Sequence, residues 1–550
     1  MKEFSILIGG KAGDGIKQAG ITAAKIFSHL GYHVFLYDDY PSLIRGGHNF
    51  CVIRASKDQV RCHENEVDLL LAMNKETIDK HVKSLKPKGV VLYDSSFEEA
   101  PDGIGVPFKE IVKELDGLSI MRNTAAIGAL ARLADIQWNV VEDVLQKSIS
   151  KMIDLNLSIS RKAYQAVKAP VFHVDDLKRP SFPVMTGNEA IALGCVYGGL
   201  ELYIAYPMTP ATSILHFLAG YQRELGLVTI HPENEISAAT MALGAAYAGK
   251  RTAVGTSGGG FALMTEAVSF SGQAEIPLLF IECQRTGPST GVPTYTGQAD
   301  LMFVLHSGHG EFPRVVAAPG DANEALEWAS LCLDVAWRCQ IPAFLLSDKH
   351  LSESLFSVEL PLDLPERFEP ILWNGEGKYR RYLIAETGIS PLAFPGTKEC
   401  KVKATSYEHD EYGITVEDAD AIAKMQEKRL RKKGQISKFF QDIDTIKIYG
   451  QDDSDICLVC WGSTKGACIE AAQKIGAKVV QPILLDPFPQ KKFQEAIGGA
   501  KQIIGIEANA TGQLSTLLKC HGIVLDKSVL RYDGRPFTPS TLSRSLEEVI

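Results

Sequence analysis

The chain lacks any long hydrophobic run: none of its apolar stretches approaches the roughly 20 residues that a membrane-spanning helix needs. Basic residues are not in excess, because 57 Lys and Arg against 66 Asp and Glu leave a formal net charge of −9. A global basic surface for nucleic acid is therefore excluded. The first residues, "MKEFSILIGGKAGDG", go directly into a strand and a Gly-rich turn, so we expect no signal peptide.

Clustered cysteines are also absent. The chain has eleven cysteines, an odd number spread thinly over 550 residues, which indicates reduced thiols in a cytoplasmic protein. The single Cys-x-x-Cys runs from Cys457 to Cys460 inside an apolar strand-like run, where residues three apart point to opposite faces. We interpret both as core residues. Without a second pair, we expect no iron–sulfur cluster on this chain.

Alternating strands and helices fill most of the chain. A length of 550 residues exceeds one hydrophobic core, so several domains are expected. Short β-rich runs separated by helical periodicity predict a multidomain α/β fold. Pro-rich stretches and changes of composition divide the chain into an α/β domain, a linker, a second α/β domain, a connecting segment and a C-terminal α/β domain, with boundaries 1–165, 166–186, 187–350, 351–450 and 451–550.

The connecting segment carries a basic run from Lys428 to Lys433. Cations are favourable at helix C-termini, so we interpret the run as the solvated end of a helix. An anionic partner is the alternative.

The stretch Tyr203–Pro210, "YIAYPMTP", is unusual for ordinary secondary structure. A β-rich run ends in two prolines, Pro207 and Pro210, which fix φ and remove backbone donors. The segment that follows, 211–226, has a helical pattern. The sequence therefore predicts a stiff loop between a strand and a helix, with Thr209 as its hydroxyl.

Two Gly-rich turns each join a strand to a helix. The first, Gly9–Gly15, "GGKAGDG", offers backbone amides to an anion, but a tight turn explains its glycines equally well. It is not a complete thiamine diphosphate motif, because no Asn-Asn pair follows it. The second, Gly255–Ala267, "GTSGGGFALMTEA", would let a ligand approach the backbone closely. Close strand–helix packing is the alternative for the second turn.

Two further segments carry charged groups at predicted strand ends. Glu233 and Glu235 stand at the head of a helix of small and apolar residues. Helix capping explains one of these carboxylates. The other is a candidate for a buried carboxylate with a catalytic role. Arg285 opens a Gly/Thr/Pro loop directly after a buried strand, where open α/β sheets bind ligands. Its guanidinium suits a carboxylate, although a structural ion pair is the alternative.

Together, "YPMTPATS", "ENEISAATMALGAAYAGKRTAVGTSGGGFALMTEA" and "QRTGPSTGVPT" resemble the α subunit of 2-oxoacid:ferredoxin oxidoreductases. "GNEAIALG", "IEANATGQL" and "DGRPFTP" extend the likeness, and the N-terminal part with "IRGGHNFCVIRAS" resembles the separate γ subunit, fused in front. The resemblance spans nearly the whole chain and is strongest at 186–300. It implies a γ-type α/β domain, a pyrimidine-binding α/β domain for thiamine diphosphate and a transketolase-C-like α/β domain.

The resemblance also implies an activity and partners. These enzymes oxidatively decarboxylate a 2-oxoacid with coenzyme A, giving acyl-CoA, CO2 and reduced ferredoxin. Thiamine diphosphate lies between the α and β subunits, and Mg2+ and a [4Fe-4S] cluster are expected on β. We favour 2-oxoglutarate over pyruvate and branched-chain acids, and expect an αβ heterodimer or its dimer. The ligand of the N-terminal Gly-rich turn stays unassigned, because that turn departs from the family's usual Gly-Gln-Gly pattern.

Site residues are implied in the same way. By likeness to the family, Glu235 would hydrogen-bond N1′ of the aminopyrimidine, and Thr209 would bind the substrate's carboxylate or keto oxygen. Arg285 would bind the substrate carboxylate. Tyr206 is expected to contact the substrate. The residues expected to contact the cofactor are Pro207, Met208, Ser257 and Gly258. No metal ligand is expected on this chain.

Two other functions are alternatives. A non-catalytic scaffold for coenzyme A or a nucleotide predicts that Thr209, Glu235 and Arg285 lie far apart. A pyrimidine-domain subunit of a lipoamide-linked oxoacid dehydrogenase is disfavoured by the fused γ-like domain.

Overall fold

The computed structural model describes residues 2–42, 46–97, 102–359, 364 and 366–550. The chain forms two compact units, one made of Met1–Thr186, Glu353–Leu362 and Thr538–Glu547, the other of Gly187–Ser352, Asp363–Phe537 and Glu548–Ile550. Two residues of the γ-like stretch "IRGGHNFCVIRAS", Ile44 and Arg45, lie outside the described residues. The five-segment division given above stays a prediction.

Strands and helices alternate from residue 3 onwards. The strands before residue 187 are β1 (Glu3–Lys11), β2 (His33–Asp39), β3 (His48–Ser56), β4 (Val67–Ala72), β5 (Leu85–Asp94), β6 (Ile104–Val106) and β7 (Val184–Thr186). The helices are α1 (Ile16–His29), α2 (Lys75–His81), α3 (Phe108–Glu114), α4 (Arg122–Leu133), α5 (Trp138–Ser148) and α6 (Ile153–Ala166).

The same alternation continues from residue 187. The strands are β8 (Leu202–Ile204), β9 (Val228–Ile230), β10 (Thr252–Thr256), β11 (Leu278–Gln284), β12 (Val315–Ala317), β13 (Pro342–Asp348) and β14 (Leu355–Ser357). The helices are α7 (Gly187–Tyr197), α8 (Thr212–Gly220), α9 (Glu235–Tyr247), α10 (Gly258–Ala274), α11 (Leu301–Leu305), α12 (Ala322–Cys339) and α13 (Lys349–Glu353).

The last part begins with a long helix. Its helices are α14 (Ala419–Phe439), α15 (Lys465–Ile475), α16 (Gln490–Ile497), α17 (Gln513–Cys520) and α18 (Pro539–Glu547). Its strands are β15 (Ile446–Gly450), β16 (Ile456–Cys460), β17 (Lys478–Pro482), β18 (Leu484–Asp486), β19 (Gln502–Glu507) and β20 (Lys527–Leu530).

These strands form three sheets. The first unit holds an eight-stranded sheet of order β6-β5-β4-β1-β3-β2-β14-β7. The second unit holds a seven-stranded sheet, β18-β12-β13-β11-β10-β8-β9, and a five-stranded sheet, β15-β17-β16-β19-β20. In the seven-stranded sheet every pair is parallel except β12 with β18. The prediction of a multidomain α/β fold is confirmed.

The core of the seven-stranded sheet lies on β11, β13 and their covering helices. All seven residues of β11 and of β13 are buried, as expected for parallel strands covered on both faces. Cys457 and Cys460 are fully buried free thiols in β16, so their interpretation as core residues is confirmed. No helix within the described ranges has the length and apolar character needed to cross a membrane.

The basic run in the connecting segment is not a solvated helix end. It lies inside α14, which continues to Phe439. Lys428 and Lys432, one turn apart, are buried and both reach Glu275, at Nζ–Oε distances of 2.7 and 2.5 Å. Burial tends to raise the pKa of Glu275, but the two lysines hold that pKa well below its ordinary value. The anion that this run meets is therefore a carboxylate of the same chain.

Candidate active site

Four segments follow neighbouring strands at one edge of the seven-stranded sheet. In sheet order, β11, β10, β8 and β9 are adjacent and parallel. Their carboxyl ends lead to Arg285, Ser257, Tyr206 and the start of α9 at Glu235, respectively. Ligands of open α/β sheets bind outside the carboxyl ends of the strands. This edge is therefore the candidate site, and it collects residues that are far apart in sequence.

The proline-bracketed loop connects β8 to α8, as the sequence predicted. Its far end is fixed by Asn188, whose Nδ2 donates to the Pro210 carbonyl over 2.7 Å. The Thr212 amide donates to the Met208 carbonyl over 3.2 Å and closes the turn before α8. Tyr206 is exposed, and its ring lies 5.7 Å from that of His231, at the end of the neighbouring strand. The loop is thus held at both ends. The helix that follows is shorter than predicted, since α8 ends at Gly220.

Arg285 contacts this loop directly. Its Nη1 donates to the carbonyl oxygen of Thr209 over 2.8 Å, although the two residues are 76 positions apart. Arg285 is half-buried, and burial lowers the pKa of its guanidinium against the opposing effect of the Glu282 and Asp300 charges. A guanidinium has five N–H donors, so one bond to Thr209 leaves others for a bound carboxylate.

Glu235 is the buried member of the acidic pair. Asn234 caps α9 by accepting from the Ser237 amide over 2.8 Å, so neither glutamate is needed as the cap. Glu233 is exposed, whereas Glu235 is only 4% exposed. Oε1 of Glu235 is buried and has no hydrogen-bond partner in the described part of the chain. A buried acceptor without a donor costs free energy, so Oε1 is available to a donor from outside the chain.

Thr256, at the end of β10, links Glu235 to the proline-bracketed loop. Its Oγ1 lies 3.9 Å from Sδ of Met208. A Cβ on Gly260 would lie 2.1 Å from Oγ1 of Thr256 and 2.7 Å from Oε1 of Glu235. Any side chain at this position would force Thr256 and Glu235 to move, because both distances are far below van der Waals contact. The first turn of α10 thereby lies against the Glu235 carboxylate.

Ser257 and Gly258 begin α10 at the same edge. The Ser257 hydroxyl is buried and has no hydrogen-bond partner among the described residues. It occupies the N-cap position without a side-chain capping bond. Gly258 faces Asp300, since a Cβ there would lie 2.8 Å from Oδ2 of that residue. The structure thus places all eight predicted site residues on loops or helix starts of one sheet edge: Tyr206, Pro207, Met208, Thr209, Glu235, Ser257, Gly258 and Arg285.

Two acidic residues that sequence reasoning did not single out belong to this edge. Glu282 is fully buried near the end of β11, and Asp300 precedes α11. Burial raises the pKa of both carboxyl groups; Asp300 raises that of Glu282 further, and Arg285 acts in the opposite direction on both. Both residues stand in the stretch "ECQRTGPSTGVPTYTGQADL". The sequence signal that could have identified Glu282 is an acidic residue inside an apolar strand, three positions before an arginine.

Comparison with known proteins identifies the family. Residues 193–428 match the family model described as pyruvate flavodoxin/ferredoxin oxidoreductase, thiamine diphosphate-binding, and residues 5–166 match pyruvate ferredoxin/flavodoxin oxidoreductase. The chain is 31% identical to 2-oxoacid:ferredoxin oxidoreductase 2, subunit alpha, of Aeropyrum pernix, over 100% of this chain and 98% of that protein. It is 30% identical to 2-oxoacid:ferredoxin oxidoreductase subunit alpha of Saccharolobus solfataricus, with the same coverage of 100% and 98%.

A solved structure covers the chain from end to end. It is that of 2-oxoglutarate:ferredoxin oxidoreductase from Magnetococcus marinus with 2-oxoglutarate, coenzyme A and succinyl-CoA bound. The TM-score is 0.89 at 31% sequence identity, over 100% of this chain and 99% of that one. The resemblance found in the sequence and the expected fold class are therefore confirmed. The chain is an oxidoreductase subunit, and it belongs to the family of 2-oxoacid:ferredoxin oxidoreductase alpha subunits.

Proposed function

We propose that this chain is the fused γα subunit of an enzyme that oxidatively decarboxylates 2-oxoglutarate with coenzyme A and reduces ferredoxin. The observation that carries the proposal is the Glu235 carboxylate, which is buried at the carboxyl edge of the sheet with one oxygen unpartnered. A cofactor that donates a hydrogen bond at this point would satisfy it. The 2-oxoglutarate in the Magnetococcus marinus structure supports the choice of substrate.

Thiamine diphosphate fits the residues at this edge. When bound, it supplies an electron sink for the carbon that loses CO2. Glu235 would accept a hydrogen bond from N1′ of its aminopyrimidine, inside a site from which water is excluded. At Ser257 and Gly258 the backbone would approach the cofactor closely. Pro207 and Met208, in the proline-bracketed loop, would pack against the cofactor ring.

Thr209 and Arg285 are assigned to the substrate. The bond from Arg285 to the Thr209 carbonyl joins the guanidinium to the residue that carries the hydroxyl. The hydroxyl of Thr209 would bind the carboxylate or keto oxygen of the 2-oxoacid, and Arg285 would pair with its carboxylate. Tyr206 would line the substrate pocket. Two flanking prolines reduce the entropy lost when the hydroxyl is fixed by a ligand.

A β subunit is the proposed partner of the exposed face of α9 and α10. Ile236 and Met241 on α9 and Leu263 on α10 are between 42% and 52% exposed. A Cβ on Gly244 or Gly259 would meet nothing within 4 Å, so a helix of another chain could approach closely there. Apolar exposed surface of this kind marks protein interfaces. We expect Mg2+ and the [4Fe-4S] cluster on β, and an αβ heterodimer or its dimer.

The remaining parts of the proposal rest on the N-terminal domain and the thiols. Residues 5–166 match a family model separate from that of residues 193–428, which supports a γ domain fused in front of the α subunit. Coenzyme A is the proposed co-substrate, as bound in the Magnetococcus marinus structure. We place the enzyme in the cytoplasm, because all eleven cysteines are free thiols.

The test uses the chain co-expressed anaerobically with its β subunit. CoA-dependent reduction of a low-potential acceptor is measured with 2-oxoglutarate, pyruvate and a branched-chain 2-oxoacid. Glu235→Gln is expected to lower kcat by about 100-fold or more, the usual range for a group that assists proton transfer. Glu233→Gln, the exposed neighbour, is the matched control and should retain activity. Full activity of Glu235→Gln, or a preference for another acid, would contradict the corresponding part of the proposal.

A further inference from the structure

Asn188, in the first turn of α7, holds the proline-bracketed loop through its side chain. The residue is 0% exposed. Its Nδ2 donates to the Pro210 carbonyl and to Oγ of Ser213, each over 2.7 Å. On the other side of the amide, Sγ of Cys283 donates to Oδ1 over 3.8 Å. Both ends of the amide are therefore engaged, with Nδ2 toward the loop and Oδ1 toward β11.

The orientation of this amide follows from its neighbours. A backbone carbonyl can only accept a hydrogen bond, so the atom that faces Pro210 has to be the donor, Nδ2. Oδ1 is then left for the thiol of Cys283, which is a donor. The opposite orientation would set Oδ1 against the Pro210 carbonyl, two acceptors without a proton between them. The donor at this point is thus a specific requirement of the loop.

Two successive carbonyl groups of the loop are held in this way. Arg285, which follows β11, donates to the carbonyl of Thr209 over 2.8 Å, and Asn188 donates to the carbonyl of Pro210. Cys283, inside β11, contacts Asn188, so both donors are tied to the same strand. Both acceptors are main-chain atoms. The two bonds therefore fix the backbone at Thr209 and leave its hydroxyl for a ligand.

Close backbone packing fixes the position of α7 itself. A Cβ on Gly187 would lie 2.1 Å from the carbonyl oxygen of Leu351, and a Cβ on Gly194 would lie 2.1 Å from that of Leu326 in α12. A side chain at either position would push α7 away from these carbonyls. The two glycines of "GNEAIALG" thus hold the helix that carries Asn188 against its neighbours.

We propose that Asn188 positions Thr209 for binding the 2-oxoacid, by holding the carbonyl of the next residue. The inference rests on the proposed function, because it takes Thr209 as a group that binds the substrate. Asn188 is a positioning residue, since it acts on the substrate only through the backbone of the loop. Loss of its donor would remove one of the two side-chain bonds that hold Thr209 and Pro210.

Asn188→Asp is the test variant, because it keeps the size of the side chain and changes its donor. An ionised carboxylate cannot donate to Pro210 and places a negative charge beside a carbonyl oxygen, whereas a protonated carboxyl group can donate. In the anaerobic αβ enzyme, KM for 2-oxoglutarate should exceed the wild-type value by about 10- to 100-fold at alkaline pH. It should fall toward that value as the pH is lowered and the introduced carboxyl group gains a proton. The KM for coenzyme A should stay close to that of wild type.

Ser213→Ala is the matched control. It removes the other bond of Nδ2, which has the same length of 2.7 Å, and leaves the bond to Pro210 in place. Ser213 is exposed, so water can replace its hydroxyl. Its KM for 2-oxoglutarate should stay within about twofold of wild type at every pH. A role confined to joining α7 to α8 would instead raise KM alike in both variants.

A second measurement needs no turnover. The Thr212 amide donates to the Met208 carbonyl, so its hydrogen exchange follows closure of the loop. Without substrate, Asn188→Asp should reduce the protection of this amide at alkaline pH and restore it on acidification, whereas Ser213→Ala should keep it. In wild type alone, the amide should already be protected without substrate, which keeps the test valid if the variant does not fold.

A wild-type KM for 2-oxoglutarate in Asn188→Asp at alkaline pH would overturn the positioning role. Equal effects of Asn188→Asp and Ser213→Ala would also overturn it, as would protection of the wild-type loop that arises only when 2-oxoglutarate is added. Failure of the proposed function looks different: wild type would turn over none of the 2-oxoacids, while hydrogen exchange would still decide whether Asn188 holds the loop.

Discussion

Arg285 and Thr209 are joined by a hydrogen bond of 2.8 Å from the guanidinium Nη1 to the backbone carbonyl. The acceptor is a main-chain atom, so the bond does not depend on the identity of the threonine side chain. It ties the loop after β11 to the loop after β8, which lie on either side of β10 in the sheet. The charges of Glu282 and Asp300 raise the pKa of the same guanidinium, against the larger effect of its burial.

Arg285→Lys is expected to raise KM for the 2-oxoacid more than it lowers kcat. Lysine keeps the charge but cannot bond Thr209 and a carboxylate with a planar fork. Loss of one charge-assisted hydrogen bond corresponds to about 1.5–3 kcal/mol, or roughly 10- to 100-fold in KM. Steady-state kinetics of the αβ enzyme with varied 2-oxoacid measure this. Arg223→Lys, an exposed arginine away from this sheet edge, is the control. An unchanged KM would remove Arg285 from the substrate site.

Gly260 and Gly259 are adjacent glycines with opposite expectations. At Gly260 a Cβ would collide with Thr256 and Glu235, so Gly260→Ala should lower the stability of the chain by about 1–3 kcal/mol, the usual cost of overpacking. At Gly259 a Cβ meets nothing within 4 Å. Gly259→Ala should therefore stabilise α10 by about 0.5–1 kcal/mol through helix propensity. Thermal unfolding midpoints of the two single variants give the comparison, and equal shifts would refute the packing described here.

Glu275→Gln should be strongly destabilising. Lys428 and Lys432 are buried and both pair with this carboxylate. The substitution removes the negative charge that compensates these two buried cations. Removing one partner of a buried ion pair costs about 3–5 kcal/mol. The matched control is Glu495→Gln, whose exposed pair with Lys491 should contribute about 1 kcal/mol or less. Denaturant unfolding separates the two, and similar midpoints for both variants would mean that the buried cluster relaxes at little cost.

Leu263→Glu tests the proposed β-subunit surface on α9 and α10. Leu263 is 50% exposed, so a charge should leave the folded chain intact but weaken association with β by about 2 kcal/mol or more. Leu372→Glu, at a residue 57% exposed elsewhere in the same unit, is the control. Co-purification of tagged β subunit and sedimentation of the mixture measure association. Retention of β by Leu263→Glu would exclude this face as the interface.

Much of the fold could be predicted because most core strands are apolar runs bounded by turn residues. The apolar run "HVFLYDD" forms the whole of β2, and "PAFLLS" forms β13 except for its last residue. Three-residue strands such as β7 and β14 were not predicted. Their residues become strand by pairing with each other and with β2, which are contacts distant in sequence. The local sequence pattern does not indicate such long-range pairing.

The candidate site was only partly visible for a similar reason. Two glutamates at a helix head look alike in sequence, and the position of Asn234 at the N-cap separates them by placing Glu235 inside the first turn. Lys428 and Lys432 are one helical turn apart and both are buried. Charged residues are rarely buried, so the sequence alone predicts a solvent-exposed helix face at these positions. The identity of their partner, Glu275, depends on tertiary contact alone.

The run "AKVVQPILL" reads as one strand, but the structure divides it between two sheets. β17 pairs within the five-stranded sheet, and β18 pairs with β12 at the end of the seven-stranded one. The C-terminal segment therefore closes an edge of the sheet that carries the candidate site. A fragment ending before residue 484 would leave the buried strand β12 with an open row of backbone groups. Open edges of this kind recruit other strands, so such a fragment is expected to aggregate even if every residue of the candidate site is present.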